Sequence, residues 1–249
     1  MLLEFSYEIV ATILKRRLLP IEEDLYHESQ CGFRPQRGCT DAVYTLKMAL
    51  KKRREHGLES WVLFLDLVKA FDRVPREMLW EVLKKFGVPA KIITLIKSLH
   101  ERVKVKFNVD GITHIIFSII GVKQGDILGP ILFTFYAAAI MISWRKVFTG
   151  PVSIFRTKPD FVLTGRSYRA YGEEFPLTDS ECADDTAVIL VNRKSVDEDV
   201  PILLQHFLRW GMEVHAGDRK EDKKSKTEML FFSILQHTYE DSKTYENSN

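Results

Sequence analysis

Apolar residues recur at helical spacing over residues 2–19, where Leu2, Phe5, Ile9, Ile13 and Leu14 share a face, and Pro20 is expected to end that helix. A polar loop carrying CGFRPQRGC follows. Thr40 or Asp41 can cap a second helix with Val43, Leu46, Ala49 and Leu50 on one side, closing near Gly57. The run WVLFLDL at 61–67 is almost continuously apolar and rich in strand formers, as in a strand buried on both faces, and Asp66 stands at its end. Pro75 opens the helix REMLWEVLKKF, Gly87 stops it, and Pro89 opens another reaching about Arg102. The alternation in VKVKFNV, the Asp110-Gly111 pair and the apolar run beyond it predict a hairpin. GVKQGDILGP is a glycine-punctuated loop, after which Pro130 starts a long apolar helix ending near Lys146.

Residues 149–180 follow no period, and short strands or an insertion are expected there. Asp184 and Asp185 then precede the strand TAVILV, a helix over Ser195–Trp210, a short strand GMEVH, a charged loop and a last strand KTEMLFF. This order predicts an α+β fold in which helices pack on one face of an antiparallel sheet.

At 249 residues, with 45% hydrophobic and 28% charged, the chain has ordinary globular composition and can bury a core. A net charge of +2 leaves nucleic-acid affinity to local clusters: KKRR at 51–54, Arg102 with Lys104 and Lys106, and RKEDKKSK at 219–226. Each is also an ordinary solvated face. Three cysteines, Cys31, Cys39 and Cys182, lack metal spacing, and their odd number argues against a disulfide framework, so a reducing compartment is expected. The start is interrupted by Glu4 and Glu8 and has neither signal-peptide nor membrane-span character, which points to an intracellular protein, nuclear or cytoplasmic, that is not secreted. Residues 233–249 are polar and aperiodic, as in a disordered tail.

Adjacent aspartates before a buried strand have two readings. Asp is a common turn residue, because its side chain bonds nearby backbone. Two neighbouring carboxylates also repel unless a divalent cation compensates them. If the strand ending at Asp66 lies beside the hairpin around Asp184 and Asp185, three carboxylates meet at one sheet edge. That arrangement suits two Mg²⁺ ions in an in-line phosphoryl displacement.

FLDLVKAFDRV, GVKQGDILGPILFTFY and ECADDTAVIL, in that order, resemble the three palm motifs of reverse transcriptases, especially those of non-LTR (LINE-like) retrotransposons. QCGFRPQRGCTDAVYTL upstream, and GMEVH with KSKTEMLF downstream, extend the likeness from about residue 5 to residue 232. The resemblance implies a right-hand polymerase: partial fingers over 1–60, and a palm over 61–232 that includes fingers-like helices and a hairpin at about 76–120. Its antiparallel palm sheet would be backed by helices. It implies an RNA-directed DNA polymerase that binds an RNA template, a DNA primer and dNTPs, without a membrane, and that works with the remainder of a longer element polyprotein. By the resemblance, Asp66, Asp184 and Asp185, with the Leu67 carbonyl, hold two Mg²⁺ ions, Mn²⁺ being an alternative. Phe71 falls where the family has an aromatic gate against the 2′-hydroxyl. Gln124 and Gly125 match its nucleotide-side Gln-Gly pair, and Lys226 a lysine that protonates pyrophosphate. Arg34 and Arg37 would meet template phosphates.

Two departures stand out. Cys182 replaces the family's usual aromatic, and no Arg-Pro-Ile fingers segment, thumb, endonuclease or Cys/His cluster is evident, as in a fragment of a longer protein. The competing reading is a degenerate, inactive remnant that folds and at most binds RNA. A sheet-based RNA-binding module fits less well, since the Asp-bearing strands are aliphatic rather than aromatic.

Overall fold

A computed structural model describes residues 5–101, 103–110, 112–123, 125–156, 174–215 and 225–233. Helix α1 (Phe5–Glu23) buries Ala11, Leu14 and Leu18. It runs through Pro20 rather than ending there. The proline falls in the last turn, where it removes one backbone bond, and the burial of Glu22 with the packing of Ile21 holds that turn closed. Helix α2 (Cys39–Glu55) starts two to three residues earlier than expected: Gly38, not Thr40 or Asp41, is its N-cap, and Asp41 accepts a hydrogen bond from the Gly38 N–H at 2.8 Å. Strand β1 (Ser60–Leu65) leads to a helical turn α3 (Ala70–Arg73) that the pattern did not mark, then α4 (Arg76–Lys85), which follows Pro75 and stops before Gly87, and α5 (Ala90–His100), which follows Pro89 and ends two residues short of Arg102. The hairpin β2 (Val103–Val109) and β3 (Ile112–Ser118) forms its own two-stranded sheet. Arg76 anchors its base by donating to the carbonyls of His100, Ser118, Ile120 and Gly121.

Helix α6 (Gly129–Val147) is apolar on nearly every side, and Phe133, Phe135, Tyr136 and Trp144 are all buried, as in a central helix. Strands β4 (Ser153–Arg156) and β5 (Glu174–Leu177) pair with each other; residues 157–173 lie outside the described residues. Then come β6 (Asp179–Cys182), β7 (Asp185–Leu190), α7 (Arg193–Arg209), capped by the Asn192 side chain on Ser195 N–H, and β8 (Glu228–Phe232). The GMEVH segment makes a single bridge, Leu67 to Val214, instead of a full strand. The polar tail beyond residue 233 lies outside the described residues, as does most of the basic run at 219–226.

The central sheet has the order β6-β7-β1-β8, and every pairing in it is antiparallel. Leu63, Leu65, Val188 and Leu190 join one cluster with α1, α4, α6 and α7, while Val62, Ala187 and Ile189 pack with Leu46 and Ala49 of α2 in a second. Helices therefore cover both faces, not one. The reason lies in β1 and β7 themselves, whose apolar residues alternate to both sides and would otherwise leave one set in water, at roughly 1.5–3 kcal/mol for each large side chain. The basic run at 51–54 is not wholly a solvated face either: Arg53 is buried and donates to Ser60 Oγ, Ser153 Oγ and the Glu59 and Val191 carbonyls, tying α2 to two strands.

The cysteines depart from expectation. Cys39 and Cys182 form a disulfide across a sequence separation of 143, with Cα atoms 5.5 Å apart, and Cys31 is the free thiol. Three cysteines are thus one pair plus one, and the pairing was invisible because only the packing of α2 against β6 brings its two ends together. Among the described residues, no helix is long and apolar enough to cross a membrane.

Burial pushes the Glu22 carboxyl up from 4.5 to about 7, against smaller downward pulls from Tyr26 and Thr134. A carboxyl raised on folding stabilises the protein below its ordinary value, and that contribution disappears as pH rises through the folded value. Glu22→Gln is therefore expected to raise Tm by roughly 3–8 °C at pH 8 and to leave it unchanged at pH 4. Thermal melts at the two pH values check this, and equal shifts at both would exclude charge as the cause.

Candidate active site

Strand β1 ends at Leu65, which pairs with Thr186, so the antiparallel register sets Asp66 across from Asp185 at the start of β7. The β6–β7 hairpin closes with Cys182 opposite Asp185, and only Ala183 and Asp184 lie between them. Ala183 adopts a left-handed φ of 63°, which lets so tight a turn form. One sheet edge thereby carries carboxylates from residues 66, 184 and 185. Their proximity is electrostatic as well as topological: the Asp185 carboxyl is raised by partial burial, then by the charges of Asp184 and Asp66.

Asp66 is held from the C-terminal side. Its N–H donates to the Thr227 hydroxyl at 3.2 Å, its carbonyl accepts from His215 N–H at 2.8 Å, and Lys226 Nζ stands 3.9 Å from its Oδ2. The bonds flanking the Leu67–Val214 bridge run from His215 to Asp66 and from Val68 to Glu213, so the ladder does not use the Leu67 carbonyl. Among the described residues, no three His, Cys, Asp or Glu side chains stand close enough to hold a metal ion by themselves. The donor set nevertheless fits a hard divalent cation, which takes one or two carboxylates and completes its shell with water and substrate phosphates.

Phe71 sits on α3, five residues beyond Asp66, with its ring stacked on Phe133 at 4.5 Å between centroids and met edge-on by Phe33 at 6.3 Å. Its carbonyl accepts from Val122 N–H at 2.9 Å, which ties α3 to the loop preceding α6. In that loop Gly125 is exposed at φ 77°, while Gln124 lies outside the described residues. Asp126 is buried, accepts a hydrogen bond from the Tyr7 hydroxyl and caps Leu128 N–H at 3.3 Å, so α1 braces the loop from behind. Arg34 and Arg37 lie on the loop before α2, both paired with the exposed Glu28 at 3.8 and 2.9 Å. The Arg37 pair is of the exposed kind that is weak, about 0–1 kcal/mol, whereas the Arg34 side chain is 20% exposed, donates to the His27 carbonyl at 3.4 Å and lies over the Tyr26 ring.

The structure adds residues that the pattern of the chain did not expose. Arg145 of α6, with a side chain 18% exposed, makes ion pairs with Asp179 and Glu181 of β6, whose side chains are 0% and 4% exposed. It also donates to Ser29 Oγ at 2.9 Å. This buried cluster lies at the foot of the hairpin that carries Asp184. The contiguous polar residues Asp179, Ser180 and Glu181 end a stretch without period, and nothing local marks Arg145 as their partner.

Residues 29–33 run beside β6. Cys31 N–H donates to the Glu181 carbonyl at 2.8 Å and Glu181 N–H to the Ser29 carbonyl at 2.9 Å, an isolated parallel bridge centred on Gln30 and Glu181. A Cβ on Gly32 would come within 2.0 Å of Ala183 N, so only glycine fits against this turn.

Over residues 1–228 the chain matches the family described as reverse transcriptase (RNA-dependent DNA polymerase). It is 32% identical over 105 residues to the retrovirus-related Pol polyprotein from type-2 retrotransposable element R2DM of Drosophila melanogaster, covering 42% of this chain and 10% of that protein. It is 30% identical over 134 residues to the RNA-directed DNA polymerase from mobile element jockey of Drosophila funebris, covering 53% and 14%. Of the first of these relatives, the chain thus spans about a tenth of the length. Its fold is similar to that of apo telomerase from Candida tropicalis truncated from its C-terminal domain, with a TM-score of 0.60 and 15% identity over 91% of this chain and 41% of that one.

Proposed function

We propose that this chain, which belongs to the reverse transcriptase family, is the palm-centred part of an RNA-directed DNA polymerase that extends a DNA primer on an RNA template with dNTPs. The observation that carries the reading is the register that brings Asp66 across from Asp185, beside Asp184. Asp66, Asp184 and Asp185, with the Leu67 carbonyl, would hold two Mg²⁺ ions, or Mn²⁺ in their place. Bound there, the cations would supply charge neutralisation and an acidified primer hydroxyl.

The chain's own work is positioning. In the transfer, the primer 3′-hydroxyl loses its proton to solvent, its oxygen forms a new bond to the α-phosphorus, the α–β bridging bond breaks, and pyrophosphate leaves with that electron pair. Lys226, whose Nζ stands beside Asp66, would give the departing pyrophosphate a proton. Phe71 would lie beneath the sugar, and Gln124 and Gly125 beside the nucleotide, with the start of α6 offering backbone N–H groups to phosphate. Arg34 and Arg37 would take template phosphates in exchange for Glu28. Relatives whose names describe them as polyproteins suggest that the remaining fingers and thumb come from a longer protein. Three retained carboxylates at one edge speak against the degenerate remnant.

Incubation of the chain with an RNA template, a DNA primer, dNTPs and Mg²⁺ tests the proposal. The expected result is primer extension that EDTA abolishes; incorporation no greater than that of an Asp184→Ala control would overturn it.

A further inference from the structure

Phe33 is a bulky residue in an unusual state. Its φ of 57° lies in the left-handed region, which side chains larger than Asn rarely enter, and its ring is 48% exposed. It belongs to neither hydrophobic core cluster, so burial does not account for it. Its aromatic contact among the described residues is T-shaped with Phe71, at an interplanar angle of 89°.

Several contacts hold the ring there. The two hydrogen bonds between residues 29–31 and Glu181, the Gln30 side-chain amide on the Gly32 carbonyl at 3.0 Å, and the Tyr26 hydroxyl on the Phe33 carbonyl at 3.4 Å fix the loop on either side. Gly32 abuts Ala183 of the hairpin turn, and Cys39 is bonded to Cys182 one residue before it. The same loop therefore touches both the turn that carries Asp184 and the ring of Phe71.

Phe71 is consequently fixed from two directions. Phe133, buried at 1% exposure, is a rigid backstop for its face, and Phe33 meets the Phe71 ring in a T-shaped contact. Substituting Phe133 would open a core cavity, whereas Phe33 adjusts the ring from the solvent side. We propose that Phe33 is a specificity-determining residue: its ring, delivered by a loop tied to the Asp184 turn, sets the position of Phe71 and so the discrimination against a nucleotide 2′-hydroxyl. The inference rests on the reading of Phe71 as the residue beneath the sugar. Without its edge contact, the Phe71 ring is free to rotate outward and make room for the extra oxygen.

The test compares the dATP-to-ATP ratio of kcat/KM for wild type, Phe33→Ala, Phe33→Tyr, Phe71→Ala and the Phe33→Ala/Phe71→Ala double variant on one RNA template and DNA primer. Where turnover is too slow to measure, the ratio of equilibrium binding to the chain with bound primer–template replaces it. Phe71→Ala is expected to lower the ratio most. Phe33→Ala should lower it about three- to tenfold, the range that the energy of one edge-to-face aromatic pair allows. Phe33→Tyr should restore it, and Phe33→Ala should add less than about twofold in the Phe71→Ala background. An unchanged ratio in Phe33→Ala, with or without a lower melting temperature, would leave Phe33 a merely structural residue and overturn the proposal, as would an equal effect in the Phe71→Ala background. If Phe71→Ala itself leaves the ratio unchanged, or no nucleotide is bound or incorporated, the reading of the site fails and takes this inference with it.

Discussion

Replacing Asp184 with alanine should lower primer extension by about 10³-fold or more while leaving the protein as stable as wild type, or more so. The first effect follows from the proposed site: with Asp184 gone, the turn keeps its backbone but loses a carboxylate that would hold the cation neutralising the charge that develops on phosphate. Losses of single preorganised electrostatic groups already reach about 10²–10³ in rate. The second effect follows from repulsion. Asp185 is raised first by partial burial and then by the charges of Asp184 and Asp66, so part of its cost is mutual repulsion among the three carboxylates, and deleting one relieves that part. Asp66→Asn should behave in the same way. Single-nucleotide incorporation and a melting curve, run on the same preparations, give both halves of the answer. Extension within tenfold of wild type would remove Asp184 from the chemistry, and a large fall in Tm would mean that it supports the fold instead.

The largest stability effect is expected at Arg145. Its guanidinium is the cation beside two buried carboxylates, donating to both and to Ser29. Burial and the Asp179 charge push the Glu181 carboxyl up to about 8, while the bonds from Arg145 keep Asp179 below its ordinary range despite its burial. Asp179 is therefore the more readily ionised partner of Arg145, and Glu181 holds its proton more tightly than an ordinary carboxyl. Arg145→Met would leave Asp179 buried without its partner, which costs about 3–5 kcal/mol. In a chain of 249 residues that lowers Tm by roughly 6–20 °C. Glu181→Gln keeps the Arg145–Asp179 pair and should cost little at pH 7. It should also remove the stability loss that wild type shows as pH rises through about 8. Denaturant midpoints of both variants check this. Equal destabilisation by the two substitutions would show that the ion pair is not what holds β6 in place.

Much of the architecture is visible in local pattern, because local pattern is what specifies it. The apolar run of β1 and the Pro and Gly bounds of α4, α5 and α6 each depend on neighbours within a few residues, and each element forms where expected. What the chain hides are interactions whose partners lie far apart in sequence. Arg53 reads as one of four solvated cations until Ser60, Ser153 and Val191 gather around it. The continuous apolar character of β1 and β7 already implied cover on both faces, yet which helix supplies it, α2, is fixed only by tertiary packing. Pro20 has a local signal that the burial of the last turn of α1 overrides. The site divides in the same manner. Asp66, Asp184 and Asp185 were marked by motif and spacing, whereas Gly32, Phe33 and Arg145 acquire meaning only once the loop before α2 and the end of α6 meet the hairpin.

The bond between Cys39 and Cys182 also makes the polypeptide topologically a ring with two tails. Asp66 and Phe71 are members of the ring, while Asp184 and Asp185 open the tail just past its clasp. A single proteolytic cut anywhere between residues 40 and 181 therefore releases no fragment. The two pieces migrate as one species on a gel until a thiol reagent is added, and where the cut falls beyond residue 66 only then do the first aspartate and the last two part company.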